Sequence, residues 1–326
     1  MGHRDRLTVI QAYRFALNPT PRQVRGLLRH AGAARLAYNW GLARIKANLD
    51  QRAAERSYGI AEADLTPPVD WSLYALRKEW NQAKAQVAPW WAECSKEAYN
   101  TGLDQIARAL KNWSDSRNGE RKGHRVGFPR FKSRRRHAPS VRFTTGTIRL
   151  EDDRRHVRLP RLGRLKTHES THKLHRRIAD GRARILSATV RAEAGRWFVS
   201  FTVEVERAKR APAHQGAVVG VDLGIKTLAV FSDNRPPAQN PKHYDAARRK
   251  LARLSRRVSR RQGPDRRTGQ RPSNRWRKAN TARNRVHHRT VNLRRDAIHK
   301  LTTALARQYG TIVVEDLYVA GMVKNR

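Results

Sequence analysis

Two short apolar runs, each closed by a carboxylate, constrain this chain more than any other feature in it. Val218-Val219-Gly220-Val221 ends at Asp222, and Ile312-Val313-Val314 ends at Glu315. The second run, continuously β-branched without polar alternation, predicts a buried strand, as in parallel sheets. Leu293, Ala297, Leu301, Ala304 and Leu305 form a helical stripe leading into the second run. A helix feeding a parallel strand is an α/β unit. Gly310 between them predicts a left-handed helix cap. In such sheets the working groups collect at the carboxyl ends of strands. Asp222 and Glu315 are therefore expected to share one crevice. Asp316 alternates to the opposite face and reads as structural.

Two acids placed together need a reason in this chain, which has 70 Lys and Arg against 27 Asp and Glu, a formal charge of +43. Ligation of a divalent cation is one reason. Mg²⁺ takes hard oxygen ligands from one or two carboxylates plus phosphates. Two such ions can stabilise the attacking and leaving oxygens of a phosphodiester cleavage. The other reason is ordinary pairing with nearby arginines. Both readings stand at this point.

The charge excess predicts a polyanionic partner, because self-repulsion of this size works against compaction. The 8 Trp, 8 Tyr and 7 Phe argue for a folded chain rather than a basic tail. A single cysteine, Cys94, leaves no disulfide framework and no cysteine-based zinc site, and reads as a core thiol. No apolar run approaches the ~18 residues of a membrane span. The N-terminal residues lack a signal-peptide apolar region. The expectation is a cytoplasmic protein, on the side where nucleic acid is.

Patterning divides the chain. An extended run, Leu7 to Leu17, ends at Asn18-Pro19-Thr20-Pro21. Helical spacing follows from Val24 to Ile45, from near Ser72 and from near Ser95. Short extended runs then alternate with charged turns from residue 140 to 204. After a second linker, Val218–Asp222, Gly224-Ile225-Lys226 and Thr227–Phe231 spell a β-hairpin. The predicted architecture is multidomain α+β. A helical domain, 20–114, is inserted in a β-barrel domain, 1–19 plus 124–208. Linkers at 115–123 and 209–216 lead to an α/β domain at 217–326.

Residues 248–295 carry 19 Lys or Arg and a single acid, Asp265. A solvated helix face is the usual fate of a charge run, but this one lacks acids for intrahelical pairs. A cationic helical hairpin within 242–295 that holds a nucleic-acid backbone fits it better, with Arg256, Arg257, Arg260 and Arg261 as its representatives. Val126-Gly127-Phe128-Pro129-Arg130-Phe131-Lys132 interleaves aromatics with cations. Phe128, Arg130, Phe131 and Lys132 suit stacking beside phosphate contact; equally, the two rings suit a barrel core. Lys226 could reach a phosphate near the acids or simply keep the hairpin turn soluble. His168, His172 and His175 have helical spacing for a metal, but they read first as surface histidines.

The motifs resemble a known family. VVGVDLGIKTLAVFSD, from Val218, and TIVVEDLYVAGMVKNR, from Thr311, are similar to the first and second nuclease motifs of the TnpB (OrfB) insertion-sequence proteins. So are blocks beginning at Pro19, Leu76, Gly123 and Asn240, in the family's order. The resemblance implies an RNase H-type (RuvC-like) nuclease domain, incomplete in this chain, a helical recognition domain and a β-barrel wedge domain. It implies a transposon-encoded, RNA-guided DNA endonuclease related to type V CRISPR effectors, with guide RNA and target DNA as partners. Asp222 and Glu315 match the first two catalytic, Mg²⁺-binding carboxylates. The family's third acid, an Asp, follows a four-cysteine zinc ribbon, and neither has a counterpart before Arg326. The expectation is a truncated or fragmentary product with an incomplete catalytic site, or else a non-cleaving RNA/DNA-binding remnant or regulator. An actin-like sugar kinase would also use a D-x-G hairpin, but it is not normally this basic and would show a second phosphate motif.

Overall fold

The computed structural model describes residues 6–134, 136–208, 211–265, 267–318 and 321. It forms two compact units, one of Leu7–Arg207 and one built on Ala208–Arg326.

The first unit opens with β1 (Arg6–Leu17), and Pro19 and Pro21 end strand character there. α1 (Pro21–Ser57) starts at once. Thr20 Oγ1 accepts from the Gln23 amide at 3.3 Å, and Gln23 Oε1 accepts from the Thr20 amide at 3.0 Å. This capping box and the proline in the first turn satisfy groups the helix itself leaves open. Ser72 and Ser95 cap α2 (Leu73–Val87) and α3 (Lys96–Arg117), their hydroxyls accepting from the Ala75 amide at 3.2 Å and the Glu97 amide at 3.3 Å. α1 and α3 approach so closely that a Cβ on Gly102 would lie 2.1 Å from the Ala34 carbonyl oxygen. Glycine is the residue that permits this crossing.

β2 (Ser140–Phe143), β3 (Arg149–Leu150), β4 (His156–Leu159), β5 (Gly163–Lys166), α4 (His172–Ala179), β6 (Ala183–Glu193) and β7 (Arg196–Ala208) complete the unit. The strands form two sheets, ordered β1-β7-β6-β2 and β3-β4-β5. The helices are thus inserted between two strands of one sheet. The predicted barrel is not closed by hydrogen bonds among the described residues; one bridge, Leu17 to Thr167, links the two sheets. The chain between β2 and β3 is diverted to a helix. Glu97 of α3 accepts from the Thr144 amide at 3.0 Å and from the Thr145 hydroxyl at 3.0 Å. Helices and sheets share one apolar cluster, which includes Ala37, Leu103, Phe143 and Val199.

The second unit contains β8 (His214–Leu223), β9 (Thr227–Phe231), β10 (Ala238–Gln239), α5 (His243–Ser259), α6 (Asn274–Gln308) and β11 (Tyr309–Val314). Its sheet is ordered β10-β9-β8-β11; β9 runs antiparallel to β8 and β11 parallel to it. The mixed α/β reading holds for this unit. α6 covers one sheet face through Leu301 and Leu305, against Val219, Val221, Ala229 and Phe231. Two expectations fail here. Gly310 does not cap α6 in a left-handed conformation, because the helix passes directly into extended backbone at Tyr309. Glycine is needed for proximity instead: a Cβ there would sit 1.8 Å from the Gln215 carbonyl oxygen. Nor is the β11 run buried. Ile312, Val313 and Val314 are 37%, 54% and 58% exposed. The strand pairs along one edge only, no described strand adjoins its other edge, and α6 shields it chiefly at Tyr309. No helix among the described residues is long and apolar enough to cross a membrane.

Candidate functional site

β8 and β11 run side by side with Val313 opposite Gly220 and Val314 opposite Val221. Asp222 and Glu315 each stand one residue beyond that last rung. β9 brings Val230 opposite Asp222 from the other side. Strand alternation places Gly220, Asp222, Val230, Val313 and Glu315 on the face that α6 leaves open. All of them line one open depression of about 440 Å³, and Asp316 does not. The crevice expected from the sequence is therefore present.

Neither carboxylate has a hydrogen bond or ion pair among the described residues, although the chain carries 70 basic side chains. Asp233 makes the contrast. It accepts from Arg235 Nε at 2.9 Å and from the Tyr309 hydroxyl. The tyrosine hydrogen bond, followed by Arg235, holds its carboxyl below the usual range. Arg235 also donates to Gln308 at 2.9 Å and lies over the rings of Phe231 and Tyr309. Asp233 is a structural acid, and the Asp222–Glu315 pair is not built that way.

Two adjacent carboxylates with unengaged oxygens suit a hard cation such as Mg²⁺, the remaining ligands coming from water and phosphate. The fit is to one ion, because no third His, Cys, Asp or Glu joins them among the described residues. His168, His172 and His175 form no metal cluster either. Only His172 and His175 lie on α4, and His175 Nε2 faces Asp152 Oδ1 at 3.3 Å.

The basic hairpin exists as α5 packed on α6. Leu251, Leu254 and Val258 bury one stripe of α5. At 3.6 residues per turn, Arg253, Arg256 and Arg260 fall on the opposite side. Arg256, Arg257, Arg260 and Arg261 converge on one depression of about 600 Å³, together with Arg253 and Arg275. No carboxylate lines it. Arg253 was legible as one turn ahead of Arg256 and Arg257. Arg275 arrives from α6 and had no local signal. Arg261 is partly committed: its guanidinium donates to the Arg275 carbonyl at 2.7 Å and ties the two helices together.

The 126–132 segment needs correction. It is neither a strand nor part of the sheets, and it docks on the helices. Phe128 is half-buried and packs edge-on against Trp113 at 5.0 Å, at the margin of the apolar cluster. Lys132 turns inward. Its amide and carbonyl pair with the Asn39 side chain, and its ammonium lies 3.8 Å from the Tyr38 ring centre and donates to Gln105. Burial brings that ammonium down to about 8. Arg130 and Phe131 remain exposed. Lys226 is exposed in the hairpin turn and lines neither depression.

Residues 200–326 match the OrfB_IS605 family model, described as "Probable transposase", and residues 9–53 match its "Helix-turn-helix domain" companion. A Mycobacterium tuberculosis relative is 41% identical over 329 residues, spanning 97% of this chain and 68% of its own length. The chain belongs to the OrfB (TnpB) insertion-sequence family. An Escherichia coli member, InsQ, is 30% identical over 319 residues, with 97% and 68% covered. Both relatives bear the name "Putative RNA-guided DNA endonuclease". The matched 9–53 segment of this family member folds as β1 and part of the single helix α1, without a second helix. Among solved structures, one titled "Cryo-EM structure of the Cas12f1-sgRNA-target DNA complex" aligns with a TM-score of 0.47 and 10% identity, over 95% of this chain and 81% of that one. At that level the likeness is too loose to support an inference.

Proposed function

We propose that this OrfB-family chain is the nucleic-acid-holding and metal-binding part of an RNA-guided DNA endonuclease. Asp222 and Glu315 hold Mg²⁺, and the α5–α6 arginines hold a nucleic-acid backbone. One observation carries the reading: two unpaired carboxylates end adjacent parallel strands in register, on the uncovered face of a sheet, in a chain of charge +43. Bound there, Mg²⁺ supplies Lewis-acid stabilisation at a phosphodiester oxygen. The protein's own part is to keep both carboxylates aligned on rigid strands and clear of arginine. The names of the relatives and the paired basic helices support guide RNA and target DNA as partners.

A second reading is favoured by the absence of a third acid at the pair among the described residues. In it the chain binds RNA or DNA without turnover. Zinc has no cysteine site in this sequence, and none is proposed.

The deciding experiment uses Mn²⁺ as a paramagnetic stand-in for Mg²⁺, with Mn²⁺ affinity and nuclease activity read separately. Mn²⁺ binding that is lost in Asp222→Asn and Glu315→Gln supports the metal site. Cleavage of DNA in the presence of RNA, lost in the same variants, selects the endonuclease over the binding-only reading. Mn²⁺ binding unchanged in both variants refutes the site.

A further inference from the structure

The first unit holds a second arginine-lined cavity, away from any residue assigned above. It is about 660 Å³ and lies between the first turns of α1 and the β4–β5 turn. Arg22, Arg25 and Arg29 line it from the helix, and Arg161 from the turn. One carboxylate, Glu93, is present, and Arg29 takes it up at 2.7 Å. Arg22, Arg25 and Arg161 have no acidic or hydrogen-bonded partner among the described residues. Thr20 takes up the Gln23 amide and Pro21 has no N–H, so the helix terminus offers little beyond the Arg22 amide and the affinity for an anion rests on the guanidinium groups.

The walls are fixed by long-range hydrogen bonds. Gln23 Nε2 donates to the Arg164 carbonyl at 2.7 Å, and the Asn18 amide to that of Lys166 at 2.8 Å. Buried His30 bonds through Nδ1 to the Gly26 carbonyl at 2.8 Å and accepts the Ser95 amide at Nε2 at 3.1 Å. That pattern requires the neutral imidazole, with Nδ1 protonated. Burial, then the nearby Arg161 charge, lowers its pKa in the same sense. The cavity floor therefore adds no competing charge, and the positive potential comes from the three free arginines. Arg161 also occupies a left-handed backbone conformation, φ 61°, that non-glycine residues rarely adopt. Such a conformation persists where the surroundings impose it, often at ligand clamps.

We propose that Arg22, Arg25 and Arg161 form a second phosphate clamp, which takes a phosphodiester group of a nucleic-acid strand. Planar guanidinium forks converging from two elements match phosphate oxygens as single lysines do not. The inference rests on the nucleic-acid-binding part of the function proposed above and is independent of the carboxylate site.

The test measures affinity of the full chain for single-stranded RNA and for duplex DNA across a salt series. The parent is compared with Arg25→Ala/Arg161→Ala and with a control pair, Arg77→Ala/Lys78→Ala, exposed on α2. Each lost phosphate contact reduces the log–log salt slope by about 0.7 for single strands or about 0.9 for duplex. The clamp variant is expected to lose about 1.4 from the RNA slope, or about 1.8 from the DNA slope, and the strand affected identifies the source of the phosphate. The control pair is expected to lose less than half of that. Equal losses in the two variants, or no loss on either strand, overturn the clamp. Arg161→Gly separates binding from folding, because it removes the guanidinium and relieves the left-handed residue. It should melt at or above the parent temperature while binding more weakly; a lower melting temperature with unchanged binding also overturns the proposal. A parent chain that binds neither strand refutes both this inference and the function on which it rests.

Discussion

Removing Arg256, Arg257 and Arg260 together tests the α5–α6 interface most sharply. All three are exposed and lie outside the Leu251–Leu254–Val258 stripe. Their loss should leave stability within about 0.5 kcal/mol of the parent, as for surface substitutions generally. Binding should change in a defined way. For duplex DNA, each phosphate contact contributes about 0.9 to the salt slope. Raising salt from about 50 to about 200 mM then costs about 3.5-fold in affinity per contact. Three contacts amount to about 40-fold, so the gap between parent and triple alanine variant should close by about that factor over the range. Fluorescence anisotropy with a labelled duplex reads this directly. Parallel salt lines for the two proteins would falsify the idea that these arginines touch phosphate, whatever the offset between the lines. Arg261→Ala alone should behave differently and lower the melting temperature, since its guanidinium holds the Arg275 carbonyl.

Three further outcomes follow from the geometry. In chelator, Asp222→Asn should stabilise the protein by a few tenths to about 1 kcal/mol in a denaturant titration, because it relieves like charges on neighbouring strands; a loss of stability would show the acid to be structural. Gly310→Ala should cost at least about 1–3 kcal/mol from overpacking against the Gln215 carbonyl, and should weaken Mn²⁺ binding without touching a carboxylate; an unchanged Mn²⁺ affinity would separate the β8–β11 register from the site. Glu97 is buried, and burial raises its pKa, but hydrogen bonds from Thr144 and Thr145 outweigh that and leave it depressed. A depressed carboxylate contributes stability above its unfolded value of about 4.3, and that stability is lost as pH falls through the folded value. Glu97→Gln should therefore cost about 1–3 kcal/mol at neutral pH and flatten the acid limb of the stability profile; parallel limbs would refute the assignment.

Much of the local structure was legible in the sequence. Ser72 and Ser95 marked where two helices begin, and the hairpin through Gly224 and the strand-end acids lie where the sequence placed them. What was not legible depends on partners distant in the chain. The sequence left Phe128 open between stacking and core and read Lys132 as outward-facing, because nothing local reveals Trp113, Tyr38 or Asn39. Glu97 looks like an ordinary first-turn acid until β2 brings Thr144 and Thr145 against it. Gly310 suggested a cap because helix ends favour glycine, whereas its actual constraint is a carbonyl in a neighbouring strand. Continuous apolar sequence at Ile312–Val314 predicted burial, but periodicity cannot report which faces other elements cover.

The sheet of the second unit explains why two of its acids differ from the third. β9 runs antiparallel to β8, so the chain leaving β9 emerges beside the amino ends of β8 and β11. Asp233 lies there, where α6 delivers Tyr309 and Arg235 can reach across, and the acid is consumed in a closed network. Asp222 and Glu315 lie at the carboxyl ends of two parallel strands, where no basic residue is delivered among the described elements. At this pair the topology keeps arginine away among the described residues. Parallel pairing of β8 with β11 does so for two acids at once, and leaves both exposed on the face that α6 does not cover. The same pairing depends on Gly310 and on the direct passage of α6 into β11. Backbone geometry outside the depression thus sets the electrostatics within it.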